Sequence, residues 1–111
     1  MLISVMQSKL SYAKITQTEL FYVGSIGIDE EWIKKAGLIV GQEVHIVNLN
    51  NGERLNTYVI AEKAGSKAIC LNGPAARKGQ IGDSLFIISY AMIDPKTESV
   101  DPVVIDCREW E

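Results

Sequence analysis

Residues 43–60 read EVHIVNLNNGERLNTYVI, and this stretch decides the fold class. Two runs of alternating apolar and polar residues, EVHIVNL and RLNTYVI, flank Asn51-Gly52. That dipeptide is a strong short-range hairpin signal, because both of its residues tolerate positive φ. The turn sets where the second strand begins. Side chains alternate across a strand, so Arg54, Asn56 and Tyr58 share one face and Leu55, Thr57 and Val59 share the other. His45 becomes a strand residue.

The same grammar continues in both directions. Downstream, KAGSK (63–67) predicts a turn, KAICLNG (67–73) a strand, NGPAARKG (72–79) a tight loop and SLFIISYAMI (84–93) a long strand. The acidic tail from Asp94 carries Pro95 and Pro102, leaving only VVI (103–105) to pair as a short edge strand. Upstream, LISVMQSKLSYAKITQ (2–17) reads as one or two strands, and FYVG and SIGI as a strand interrupted at Gly24-Ser25. One helix stands out, DEEWIKKAG (29–37). Asp29 is a good N-cap, Glu30 and Glu31 suit the positive end, Lys34 and Lys35 suit the negative end, and Gly37 is a natural stop. Trp32, Ile33 and Ala36 supply its buried side. Many short strands with turn signals between them predict a mostly β barrel or sandwich.

Composition narrows the function. A chain of 111 residues, 47% apolar, can bury a core but is short for two domains, so one domain over 1–111 is expected. The net charge of −3 comes with scattered Lys and Arg, so no basic stripe exists to neutralise a phosphate backbone, and nucleic acid is not an expected partner. MLISVMQSKL lacks the features of a signal peptide, and no apolar run approaches membrane-spanning length. A cytoplasmic protein with no membrane contact is the expectation. Cys70 and Cys107 have no C-x-x-C spacing and no neighbouring histidine, so neither a metal site nor a redox pair is expected, and Cys70 reads as a buried structural thiol. His45 is the sole histidine, which gives a Ser-His relay little to stand on.

The chemistry lies in YVGSIGID (22–29), where Gly24-Ser25 breaks an apolar run. A serine hydroxyl can attack the carbonyl of the residue before it, converting an amide into an ester that is far easier to break. Glycine on the acyl side permits the unusual φ/ψ that this needs and removes steric cover. Attack on the adjacent residue is intramolecular, and donors aimed at the developing oxyanion add to the rate. If the ester then loses its acyl group by β-elimination, the serine becomes dehydroalanine and, after hydrolysis, a pyruvoyl group capping a new chain.

MQSKL (6–10), YVGSIGID (22–29), NGERLNTYVI (51–60), Gly65-Ser66, NGPAA (72–76) and Gly82-Asp83 resemble, in this order, the aspartate 1-decarboxylase family. The resemblance runs from the N-terminus to about residue 93, and DPVVID (101–106) is similar to the family's closing strand. It implies a double-psi β-barrel with one or two short helices. It implies a proenzyme that cuts itself between Gly24 and Ser25 into a β-chain, 1–24, and an α-chain, 25–111, headed by a pyruvoyl cofactor made from Ser25. Neither pyridoxal phosphate nor metal is then required. The amine of L-aspartate would condense with the pyruvoyl ketone, CO2 would leave, and β-alanine for pantothenate synthesis would be released. Partners implied are the substrate L-aspartate, further copies in a homotetramer with active sites between subunits, and a possible maturation factor.

Residue by residue, the resemblance gives Lys9 and Arg54 the substrate carboxylates, Arg54 taking the one that is retained. Thr57 assists self-cleavage and contacts substrate. Tyr58 donates a proton to the carbon that has lost CO2. Asn72 and the backbone of Gly73, Pro74, Ala75 and Ala76 hydrogen-bond the pyruvoyl group and substrate, and Tyr22 lines the site. Ser11 departs from relatives that carry an aromatic or histidine there. Two rival readings remain on the sequence: a non-enzymatic β-barrel module that binds a peptide or protein along its strand edges, and a chain whose self-cleavage is purely structural.

Overall fold

A computed structural model describes residues 1–110. Its strands in chain order are β1 (Ile3–Lys14), β2 (Gln17–Glu19), β3 (Ser25–Asp29), β4 (Glu43–Asn48), β5 (Arg54–Glu62), β6 (Ile69–Asn72), β7 (Ser84–Ile93) and β8 (Val103–Asp106). Between β3 and β4 runs α1 (Glu30–Ala36), and short 3-10 helices cover Gly73–Lys78 and Cys107–Trp110. The strands hydrogen-bond in the order β2-β6-β3-β5-β4-β7-β1-β8. β1/β7, β7/β4, β4/β5 and β3/β6 are antiparallel. β3/β5, β2/β6 and β1/β8 are parallel, and such pairs need long crossovers rather than hairpins.

Alternation builds the core. Val44 and Ile46 of β4, Val59 of β5, Leu85 and Ile87 of β7 and Leu10 of β1 all point inward, joined by Ile26 and Ile28 of β3 and Ile69 and Leu71 of β6. Each such aliphatic side chain taken from water contributes about 1.5–3 kcal/mol. Trp32, Ile33 and Ala36 are the buried side of α1, as its sequence predicts. The Asp29 side chain accepts from the Glu31 N–H at 2.8 Å. At the other end Gly37, at φ 72°, closes a Schellman motif: its N–H reaches the Lys34 carbonyl and the Leu38 N–H reaches the Ile33 carbonyl.

Three expectations need correction. FYVG is not half of a broken strand: residues 20–23 are a bent loop, and the strand before the Gly-Ser pair is Gln17–Glu19. The hairpin after β4 is not a tight two-residue turn on Asn51-Gly52. Asn48 and Glu53 close a four-residue loop, through the Asn48 N–H to the Glu53 carbonyl at 2.8 Å and the Gly52 N–H to the Asn48 carbonyl at 2.9 Å. Only Gly52 takes positive φ, because the buried Asn48 side chain organises the loop by accepting from the Asn50 N–H. NGPAARKG is more than the tight loop expected, since Pro74 at the start of a helical turn winds 73–78 into a 3-10 helix.

Cys70 and Cys107 form no disulfide and are both buried. The Cys70 thiol donates to Gln17 Oε1 at 3.2 Å. Burial, reinforced by the nearby Glu62 carboxylate, pushes that thiol up from 9.0 to about 11. A thiol raised in the folded state lends stability that is fully present below its unfolded pKa and is lost as pH climbs through the folded one. The chain should therefore lose stability between about pH 9 and about 11, a decline that Cys70→Ala should flatten in a series of urea midpoints.

Candidate active site

β3 lies between β5 and β6, with the pairs Ile26–Val59 and Ser25–Asn72 in register. Because β3 and β5 run parallel, stepping back one residue sets Ser25 level with Tyr58 and Gly24 level with Thr57. Residues far apart in sequence thereby converge on one peptide bond. Ser25 is fully buried, and its Oγ accepts from Asn72 Nδ2 at 3.1 Å. The Tyr58 hydroxyl donates to the Gly24 carbonyl oxygen at 3.4 Å. Such a bond is long, but it tightens as the oxygen gains negative charge.

The backbone here is strained. Gly24 has φ 144° and Ser25 φ 117°, a region that a residue with a Cβ rarely enters. Holding serine there costs about 1–3 kcal/mol, supplied by the strand pairs on both sides of β3. Gly73 makes room for this geometry. With φ 67°, a Cβ at that position would stand 2.6 Å from the Tyr22 carbonyl oxygen and 2.9 Å from Gly24 Cα. Gly73→Ala should thus force the 22–24 segment off the 3-10 helix, with an expected loss of about 2–4 kcal/mol in urea unfolding.

A cleft of about 420 Å³ opens over this peptide bond. Gly24, Ser25, Thr57, Tyr58, Asn72, Pro74 and Ala75 all line it. Tyr22 faces an adjoining groove that shares Pro74 and is completed by Arg77. Lys9 is not brought to the cleft by this chain: it sits opposite Ile88 and Val104, with its ammonium 3.9 Å from the centre of the Phe86 ring. Arg54 heads β5 opposite Val47, exposed on the same strand face as Tyr58, and does not line the cleft. Ser11 is buried opposite Asp106. His45 packs its ring on Tyr90 at 4.8 Å in a second cleft of about 370 Å³, which shares no lining residue with the first.

Asn56 and Lys78 also line the serine cleft, and sequence reasoning missed both as site residues. Alternation already put Asn56 on the Tyr58 face. Lys78 had no such signal, because it reaches the cleft only through the 3-10 winding of 73–78.

Fold and cleft together define a small β-barrel with a strained, buried serine at the floor of an open site. A rationally designed double-psi β-barrel protein superposes with a TM-score of 0.52 at 20% identity, covering 70% of this chain and 90% of that one. A computationally designed double-psi β-barrel gives 0.50 at 18% identity, covering 77% and 96%. The fold is a double-psi β-barrel. The family model for aspartate decarboxylase matches residues 1–110. Aspartate 1-decarboxylase of Coxiella burnetii is 64% identical over 108 residues, 97% of each chain. The enzyme of the same name from Francisella tularensis subsp. holarctica is 58% identical with the same coverage, and that of Phocaeicola vulgatus 50% identical over 95% of this chain and 91% of its own. The chain belongs to the aspartate decarboxylase family.

Proposed function

We propose that the protein is a self-processing, pyruvoyl-dependent aspartate 1-decarboxylase that converts L-aspartate to β-alanine and CO2 for pantothenate synthesis. The observation that carries this reading is Ser25 at φ 117°, with the Tyr58 hydroxyl on the Gly24 carbonyl. Ser25 Oγ attacks the Gly24 carbonyl carbon, the C–N bond opens and the Gly24 acyl group passes to oxygen. Strain in the amide is released in the ester, Tyr58 stabilises the oxyanion, and Asn72 aims Oγ. Elimination of the Gly24 carboxylate, then addition of water with loss of ammonia, leaves chains 1–24 and 25–111. Both would remain one barrel domain.

The residues present fit a pyruvoyl group, since it is made from Ser25's own atoms in a buried position already held by the Asn72 amide. Once formed, the group supplies a ketone that serves as the electron sink for loss of CO2. Tyr58, no longer engaged with Gly24, protonates the carbon that CO2 leaves. Thr57 and the 73–75 backbone position the substrate. Lys9 and Arg54 hold its carboxylates. Neither lines the cleft of its own chain, so in this reading a neighbouring copy in a homotetramer supplies them. Among the described residues no helix is long and apolar enough to cross a membrane, and we assign the enzyme to the cytoplasm.

Mass spectrometry tests the first step and a β-alanine assay the second. Warmed, purified protein should split after residue 24 with a blocked N-terminus at 25, then release β-alanine and CO2 from aspartate. A chain that stays whole overturns the reading. Cleavage without decarboxylation would leave only a structural cut.

A further inference from the structure

Among the described residues lining the serine cleft, Lys78 is the one Lys, Arg, Asp or Glu. A dicarboxylate entering a cleft otherwise lined by apolar and neutral polar groups needs a cation, and this chain offers one. The backbone of Lys78 is fixed: its carbonyl accepts from Asn48 Nδ2 at 3.1 Å and from Asn51 Nδ2 at 2.9 Å. Asn48 is itself buried and also donates to Asp83 Oδ2 at 3.0 Å, so the anchor is part of the core. The side chain is held differently. Its ammonium meets Glu53 Oε2 at 2.7 Å, in a pair whose two side chains are 43% and 45% exposed. A half-solvated carboxylate partner is readily exchanged for another carboxylate. Glu53 closes the hairpin loop before β5, the strand that also brings Thr57 and Tyr58 to the cleft.

We propose that Lys78 is a substrate-binding residue whose ammonium exchanges Glu53 for the carboxylate that aspartate retains, so that the Lys78–Glu53 pair sets the preference for a dicarboxylate. The inference rests on the decarboxylase reading for its substrate, and it shares with Arg54 the carboxylate assigned above. The chemistry favours this carboxylate over the other. The retained carboxylate keeps its charge throughout, so a cation there binds ground state and transition state alike and leaves the departing carboxylate to Lys9.

Succinate, a dicarboxylate with no amine to react, probes the site without turnover. Calorimetric titration of the whole protein should show Lys78→Met binding succinate about tenfold more weakly than wild type, and Lys78→Arg close to wild type. Glu53→Gln, which removes the competing carboxylate, should tighten succinate about two- to threefold. KM for aspartate should follow the same two directions, with kcat changed less than about twofold. A merely structural ion pair predicts the opposite pattern, since breaking it from either side would shift binding the same way. Succinate affinity unchanged in Lys78→Met, no succinate binding by wild type, or parallel shifts in the two variants would each overturn the proposal. If succinate binding depends on Lys78 but wild type releases no β-alanine, the site stands and the decarboxylase reading fails.

Discussion

Ser25→Ala should remain a single chain of 111 residues and should produce no β-alanine, with activity lower than wild type by about 10⁶-fold or more. The substitution removes the attacking oxygen and with it the only precursor of the ketone. It also separates chemistry from strain. Alanine keeps the Cβ that disfavours φ 117°, so Ser25→Ala should stay strained but uncut, whereas Ser25→Gly removes both nucleophile and strain. In urea unfolding, Ser25→Gly should exceed Ser25→Ala by about 1 kcal/mol, the relief of strain outweighing the entropy that glycine adds to the unfolded chain. Equal stability would mean that the conformation at residue 25 stores no free energy for the reaction.

Asp29→Ala should cost about 3–5 kcal/mol. The Asp29 carboxylate is 2% exposed and accepts three backbone N–H bonds: Glu31 at 2.8 Å, Gly65 at 3.0 Å and Lys67 at 2.7 Å. It therefore caps α1 and ties down the 63–67 turn at once, and alanine would strand all three donors. Asp29→Asn preserves Oδ1 for Glu31 and Gly65 and loses only the acceptor for Lys67, so its loss should be about half as large. Both are best measured by urea unfolding in the Ser25→Ala background, where one unbroken chain is expected. Asp29 ends the strand that Ser25 begins, so in the wild-type background Asp29→Ala should also slow the appearance of the 25–111 fragment.

Local signals were legible wherever a segment's partner lies nearby in sequence. α1 with its cap and stop, β7 and the β4–β5 pairing follow from periodicity and turn chemistry. The parallel pairs β3/β5, β2/β6 and β1/β8 leave no such mark, because a crossover places its strands without a turn motif. Asn51-Gly52 was a true hairpin signal read with the wrong loop length, since the side chain that shapes the loop belongs to Asn48. At the site, Gly24 and Ser25 stood out by chemistry. Thr57, Tyr58, Asn72, Pro74 and Ala75 entered through family resemblance, and the cleft gathers all seven of these residues. Lys78 escaped because a 3-10 helix brings it to the cleft where a tight loop was expected, which carries no periodicity to place a side chain.

β3 has hydrogen-bonded neighbours on both edges, and all five of its residues are buried. A cut at its first residue therefore leaves the new end at 25 held within the sheet and frees only the bent segment that follows β2. The two pieces stay interlocked, β1 across β7 and β8, and β2 against β6. What changes is the order of the folding reaction. The barrel of the uncut chain folds from one polypeptide, so its formation is independent of dilution. After the proposed cleavage, recovery from denaturation becomes an encounter between two polypeptides, so it slows as the protein is diluted. Maturation then works as a one-way gate, in which the strained bond that drives processing is spent once and refolding alone cannot restore it.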